Sequence, residues 1–309
     1  MDNITHSLAG WALAEAGLKK KTGLAVATLV IAANLPDIDV LGLPLGENLA
    51  FRRGITHGPA AWALMVPGLA GAIFAFDRWQ TRRGTRPEGR LPVRFGWLLF
   101  LSLIGVLSHP VLDWLNIYGI RCLMPFSETW FYGNTLFIID IWLWLAFGAG
   151  IWLARRRRSA VPAGAGLVAA FAYIALMLAG SRWAERETTG AVTDAGHGVA
   201  DIVVASPPPL DPFRRRMIYR TEAGIGYGAA DLIARRVALE PPTATNMDDP
   251  AIAKAARSSK TLRDFLYWSR LPMARVTRSE GAARVVITDA RFARPPSLRQ
   301  FTVEATVAE

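Results

Sequence analysis

Four stretches of the chain are almost continuously apolar: 59–76, 95–117, 136–154 and 163–180. A transmembrane helix needs roughly 20 such residues, so each stretch predicts a span. Two earlier stretches are shorter. Residues 22–35 are apolar but brief, and 4–18 are amphipathic. They predict a short hairpin around Lys19, Lys20 and Lys21, whose long side chains reach back to one interface. Pro36 is a poor helix-interior residue and predicts the end of 22–35. Beyond residue 182 the pattern changes. SPPPLDP and LEPPTATNMDDP are turn-rich, and residues 250–268 look helical, ending in the aromatic cluster FLYWS. QFTVEATV at 300–307 alternates, with Phe301, Val303, Ala305 and Val307 on one face, which predicts a half-buried strand; ARVVITDARF predicts another. The expected fold is mainly α: a polytopic membrane helical bundle over 1–182, then a small soluble α+β extramembrane domain over 183–309.

Charge sharpens this reading. The net charge is +10 and the isoelectric point about 10.3, a balance that alone would suggest nucleic acid. Many of the cations instead sit at the ends of apolar segments. Loop 77–94 holds Arg78, Arg82, Arg83, Arg86, Arg90 and Arg94; Arg155, Arg156, Arg157 and Arg158 form a second basic group, and the lysine triplet a third. Membrane topology demands this distribution, so nucleic acid is an unlikely partner and membrane lipids are expected ones. If the segments alternate, all three basic groups lie on the cytoplasmic side and residues 181–309 lie outside. His6, Asp37, Asp39 and His57 then fall at the opposite ends of their segments, with His109, Asp113 and Asp140 near the same face. The orientation rule did not require that convergence. MDNITHSLAGWALAEAG has no basic region ahead of its apolar part, so it is not an ordinary cleavable signal. Cys122 is the only cysteine, which excludes an intrachain disulfide and a thiolate metal cage.

Histidine and carboxylate without cysteine favour Zn, Mn or Fe over Mg or Ca. His109 and Asp113 are spaced i, i+4, so a helix sets both on one face, with Asn116 expected a further turn along. In an apolar helix such a stripe needs a partner, and a cation is an effective one. NLPDID places Asp37 and Asp39 on a turn after Pro36; RRGITHG brings Arg53 and His57 to the start of a span. Arg53 is the candidate clamp for an anionic substrate, because guanidinium matches phosphate in two-point geometry. Asp39 or Asp37 would act as general base where it is not a ligand. Asp140, among apolar neighbours, could be a ligand, an acceptor for a histidine N–H, or an ion-pair partner of Arg53 or Arg121. His197 lies in a polar loop outside the site. Neither a Gly-x-Ser-x-Gly elbow nor a phosphate-binding loop is present.

ITHSLAG at 4–10, NLPDID at 34–39, RGITHG at 53–58 and SHPVLDWLN at 108–116, followed by Tyr118 and Gly119, occur in an order that resembles the YdjM-type family of membrane-bound metal-dependent hydrolases. The resemblance implies a multi-pass inner-membrane protein, distantly related to the zinc-dependent phospholipase C and single-strand nuclease superfamily. By that resemblance His6 is a ligand of one ion, Asp37, His57 and His109 are ligands of another, and Asp113 bridges them. The chain lacks a second His-x-x-x-Glu pair and the N-terminal tryptophan amine of the soluble enzymes, so one or two ions carry over. The expected function is metal-dependent hydrolysis of a phosphoester or a lipid-derived substrate at a periplasmic site, with Asp39, Arg53 and Asn116 supporting the chemistry. The alternatives are a membrane scaffold with a structural metal and a protein partner, and an ion transporter.

Overall fold

The structure is a computed structural model describing residues 1–45, 49–279, 281–294 and 301–308. Gln300, at the start of the strand expected over 300–307, lies outside the described residues. By internal contacts the chain divides into two units: Met1–Leu43 with Arg53–Leu178, and Pro44–Arg52 with Ala179–Glu309.

In the first unit, α1 (Asn3–Glu15) starts where the Asp2 carboxylate accepts the Ile4 and Thr5 amides at 3.0 and 3.1 Å, satisfying donors that the first turn leaves without partners. The chain reverses through the lysine turn, and α2 (Ala25–Asn34) returns beside α1, with Asn3 meeting Asn34. This is the predicted hairpin. Helix α2 stops two residues before Pro36, and the chain continues as a 3-10 helix, Leu35–Leu45. Ala25–Pro44 thereby forms a 20-residue apolar segment, long enough to span, where only a short one was expected.

Helices α3 (Pro59–Arg82) and α4 (Phe95–Trp114) are further candidate spans. The approach of α4 to the hairpin, and of α1 to α2 within it, depends on glycine. A Cβ on Gly10 would lie 2.7 Å from the Leu29 carbonyl oxygen, and one on Gly105 would collide with the Ala32 methyl. Without those atoms α1, α2 and α4 close up. His6 is one turn before Gly10 and His109 one turn after Gly105, so these crossings fix where the two imidazoles meet.

Two expectations about this unit need correction. Helix α4 ends at Trp114, so Asn116 lies in the turn beyond it, where its side-chain oxygen accepts the Tyr118 amide at 2.8 Å. Helix α5 (Ile141–Arg157) starts later than the predicted 136–154, because Asp140 caps it, accepting the Trp142 and Leu143 amides at 3.0 and 3.1 Å. Tyr173 of α6 (Val161–Asp194) donates to the other Asp140 oxygen at 3.0 Å. Asp140 is therefore a helix cap and a tie between helices. Side chains such as Leu64 on α3 and Phe171 and Leu176 on α6 are exposed, giving these helices apolar outer faces suited to lipid.

The lysine turn and the arginine loop share one end of the unit: Gly23 donates to the Pro92 carbonyl at 3.1 Å and Arg94 to Thr22 Oγ1 at 2.8 Å. Arg155, near the end of α5, stacks on Trp11 of α1.

The second unit has a four-stranded antiparallel sheet in chain order, β1 (Ile202–Ser206), β2 (Arg214–Thr221), β3 (Gly224–Asp231) and β4 (Arg236–Leu239). Ala205, Met217 and Ala230 pack on Ala184 of α6. A three-stranded antiparallel sheet follows: β5 (Pro272–Ser279), β6 (Ala282–Asp289) and β7 (Thr302–Ala308). The stretch expected to be helical over 250–268 forms two helices, α7 (Pro250–Ser258) and α8 (Lys260–Trp268), divided at Ser259, whose hydroxyl caps α8. Trp268 stacks on Phe292 and Phe301. Asp289 and Arg291 form a fully buried pair, with Nε–Oδ1 and Nη2–Oδ2 both 2.8 Å, and Ser269 donates to Oδ2 at 2.7 Å. Burial pushes the Asp289 pKa up, but Arg291 and these hydrogen bonds hold it below the usual range.

Candidate metal centre

At the end of the first unit opposite its basic turns, four side chains turn their donor atoms toward one point. Asp37 comes from the 3-10 segment after α2, His57 from a 3-10 turn (Ile55–His57) before α3, and His109 and Asp113 from one face of α4. His57 Nε2 and His109 Nε2 are 3.1 Å apart. Each lies 3.6 Å from Asp113 Oδ2, and they stand 3.8 and 3.7 Å from Asp37 Oδ1. One donor atom from each of the four residues lies within 4.8 Å of the others. His57, His109 and Asp113 are fully buried, while 12% of the Asp37 side chain remains exposed, so solvent reaches the group past Asp37.

The hydrogen bonds around this group define its charge. His109 Nδ1 is 2.7 Å from the Ala33 carbonyl oxygen, which can only accept, so the proton of a neutral His109 is on Nδ1 and its Nε2 lone pair points inward. His57 Nδ1 lies 2.9 Å from Thr56 Oγ1 and 3.7 Å from Asp39 Oδ2, and Thr56 Oγ1 is 3.5 Å from the same Asp39 oxygen. A proton on His57 Nδ1 satisfies that chain and turns its Nε2 lone pair inward too. Two imidazole lone pairs and two carboxylates then face each other in a buried space. Such a set of acceptors could hold a metal ion. A tetrahedral ion with bonds of about 2.0–2.2 Å sets its ligand atoms roughly 3.3–3.6 Å apart. The 3.1–3.8 Å separations suit one.

The other predicted residues surround this group. His6 stacks on His109, with ring centroids 3.9 Å apart, and its Nε2 is 3.3 Å from Asp113 Oδ1. It therefore faces the opposite oxygen of Asp113 from the four-residue group, and the Met1 amine contacts that same oxygen. Arg53 is buried and grips Asp113 through both oxygens, Nε–Oδ2 at 2.9 Å and Nη2–Oδ1 at 3.2 Å. Its Nη1 donates to Asn116 Oδ1 at 3.0 Å, and the guanidinium lies 4.6 Å from the Tyr118 ring centroid. The backbone of Arg53 is left-handed, with φ 55°. Asp39 Oδ2 accepts its amide at 2.8 Å, and its carbonyl accepts the Arg121 amide at 3.0 Å. Thr56 and Tyr118 lie within the motifs at 53–58 and 108–119 but have no role assigned to them by the sequence alone, and the Ala33 carbonyl and the Met1 amine carry no sequence signal.

These features define a polytopic membrane protein with a buried histidine–aspartate centre, able to hold a metal ion, at one end of its bundle. Residues 1–184 match the family model described as YdjM inner membrane protein, and the chain belongs to that family. No curated protein matches the chain, and no solved structure does.

Proposed function

We propose that the protein is a membrane-bound metal-dependent hydrolase acting on a phosphoester or lipid-derived substrate. The observation that carries this reading is the inward-facing set of lone pairs from His57, His109, Asp37 and Asp113, at spacings suited to a Zn-sized ion. Mn or Fe would suit the same donors. When bound, a divalent cation there would lower the pKa of water toward neutrality and polarise a phosphoryl oxygen. His6 and the second oxygen of Asp113 leave room for the two-ion reading.

The remaining residues act by positioning. Asp39 is committed to the Arg53 amide, Thr56 and His57, which suits an orienting role for the His57 ring better than the general-base role. Arg53 has its donors on Asp113 and Asn116, so its first task is to fix the Asp113 carboxylate rather than to clamp substrate. Substrate would enter past Asp37. The three basic segments at the other end of the bundle support a cytoplasmic location for that end. The centre, and by alternation the C-terminal unit, would then lie on the periplasmic side.

The test is elemental analysis of detergent-purified protein together with hydrolysis of a chromogenic phosphodiester. Bound Zn, Mn or Fe and turnover, both lost in His109→Ala and Asp113→Ala, are expected. Metal-free protein with full turnover would refute the proposal. A second reading, a structural metal that staples the bundle, draws on the burial of three of the four donors. It predicts bound metal without turnover, and destabilisation when a ligand is replaced.

A further inference from the structure

Helix α6 is apolar as far as Gly180 and becomes polar from Ser181 onward, through Arg182, Glu185, Arg186 and Glu187. Its apolar stretch is a candidate span, so residues 180–183 mark where the helix leaves the bilayer. The four-stranded sheet folds back toward that level. After α6 ends at Asp194, β1 enters the sheet at Ile202 and returns, so that Ala205 packs on Ala184. The end of the sheet formed by the finish of β1, the start of β2, the finish of β3 and the start of β4 is set by the register, with Ser206 opposite Arg216 and Asp231 opposite both Arg214 and Arg236. At this end Leu232 and Trp183 pack against the same buried cluster, and buried Arg215 donates to Ser181 Oγ at 3.0 Å. The β1–β2 loop and the β3–β4 hairpin therefore lie at the level of the helix exit.

Those two loops expose apolar side chains. Leu210 is 62% exposed, Phe213 54% and Ile233 71%. The loops are joined by the Leu232 amide on the Phe213 carbonyl at 2.9 Å. Each is also braced by an aspartate turned onto backbone amides: Asp211 accepts Phe213 N at 2.9 Å, and Asp231 accepts Ile233 N and Ala234 N at 2.9 and 2.8 Å. Beside the apolar tip, the Arg214 side chain is 69% exposed, with its Nε 3.8 and 3.9 Å from the carboxylates of Asp211 and Asp231 and its other guanidinium edge open to a further anion, and Arg235 lies over Trp183 at 5.9 Å. Apolar side chains backed by arginine and tryptophan form the arrangement that settles at a headgroup boundary.

We infer that this end of the sheet is a membrane-docking surface, with Leu210, Phe213 and Ile233 entering the interfacial layer and Arg214 and Arg235 reaching phospholipid phosphates. A bilayer is the fitting occupant because the surface is continuous with the exit point of a membrane helix and its cations complement phosphodiesters. The opposite end of the sheet supplies a control. Val199 is 77% exposed, in the loop between α6 and β1. Asp194 is 14 residues beyond Gly180, about 21 Å along the helix axis, well past the headgroup layer.

The experiment uses the full chain carrying Cys122→Ser, with single cysteines introduced as Phe213→Cys, Ile233→Cys or Val199→Cys. Each is labelled with an environment-sensitive fluorophore and reconstituted in vesicles of phosphatidylethanolamine and phosphatidylglycerol. Blue-shifted emission at 213 and 233, quenching by headgroup-region nitroxide lipids, and quenching by iodide several-fold weaker than at 199 are the expected results. Equal iodide quenching at all three positions would overturn the proposal. So would labels at 213 and 233 shielded from both iodide and nitroxide lipid, since a protein surface would then cover the tip.

Discussion

The pairing of Arg53 with Asp113 yields a quantitative prediction. Both side chains are buried, at 7% and 1% exposure, and the guanidinium meets both carboxylate oxygens, with Nε–Oδ2 at 2.9 Å and Nη2–Oδ1 at 3.2 Å. At about 3 Å and an effective dielectric of ~20, opposite unit charges attract by roughly 5 kcal/mol. Desolvation offsets much of this, so the informative quantity is the cost of leaving one partner alone, about 3–5 kcal/mol for a buried pair. Asp113→Asn should reach that range. It should cost more than Arg53→Gln, because Asp113 also receives His6 and the Met1 amine. The double variant should cost less than the sum of the singles by about 2–3 kcal/mol, the upper part of the range for residues in contact. The assay is equilibrium unfolding in mixed micelles, followed by tryptophan fluorescence with a chelator present so that metal binding does not enter. Additivity to within about 0.5 kcal/mol would show that the two side chains are not coupled and would refute the reasoning. Repeating the series with Zn separates the roles: Asp113→Asn should lose metal, while Arg53→Gln should keep it.

Three further outcomes follow from the geometry. Asp39→Asn should retain measurable metal but bind it about 10–100-fold more weakly, because it loosens His57 without removing a ligand; elemental analysis across a chelator series reads this, and unchanged affinity would remove Asp39 from the orienting role. Gly105→Leu should destabilise the bundle by about 1–3 kcal/mol and lower metal occupancy, since its side chain would push α4 away from Ala32 and carry His109 with it; a shift in the unfolding midpoint with full occupancy would contradict that link. In the second unit, Asp289 has a pKa lowered in the folded state, so its contribution to stability is present above the usual carboxylate value and is lost as pH falls through the lowered one. Asp289→Asn should therefore cost about 3–5 kcal/mol near neutral pH and much less in strong acid, with Trp268 emission as the probe.

Most of the centre was legible because its residues obey local rules. His109 and Asp113 sit one helical turn apart, Pro36 ends an apolar helix just before Asp37, and Gly54 and Gly58 bracket the turn that carries His57. The positions of the basic residues located the opposite end. Contacts across long stretches of chain were not legible. Arg53 and Asp113 are 60 residues apart, and nothing near Arg53 reveals that its fork closes on a carboxylate instead of waiting for an anion. Asn116 reads as a further turn of the same helix because no local signal marks the helix end at Trp114. Asp140 was ambiguous since a cap and a ligand look alike without the amides it accepts. In the second unit, β2 reads RRRMIYRT, and its buried Arg215 breaks the alternation that identifies a strand. Gly224, Gly226 and Gly228 deprive β3 of the side chains that would show a period.

The depth of the centre favours hydrolysis over transport. From Phe95 at the basic end of α4, His109 lies 14 residues along and Asp113 lies 18, about 21 and 27 Å on a helix. A hydrocarbon core is about 30 Å thick, so with Phe95 at one boundary both residues would stand beyond its midplane, with Asp113 near the far boundary. The other two donors come from a 3-10 segment and a turn, irregular backbone that is tolerated at such depth only where protein covers it or water reaches it. Transporter sites lie instead near the midplane, between repeated halves, and no internal repeat is evident in this sequence. A group of donors near one boundary, with its exposed edge at Asp37, suits a substrate whose reactive part lies in the interface and whose apolar part remains among the lipids. That favours a lipid-derived phosphoester over a small soluble one. Turnover should accordingly rise when the same phosphodiester headgroup is presented on an acyl chain in mixed micelles. Equal rates for the soluble and acylated forms would detach the chemistry from the membrane surface.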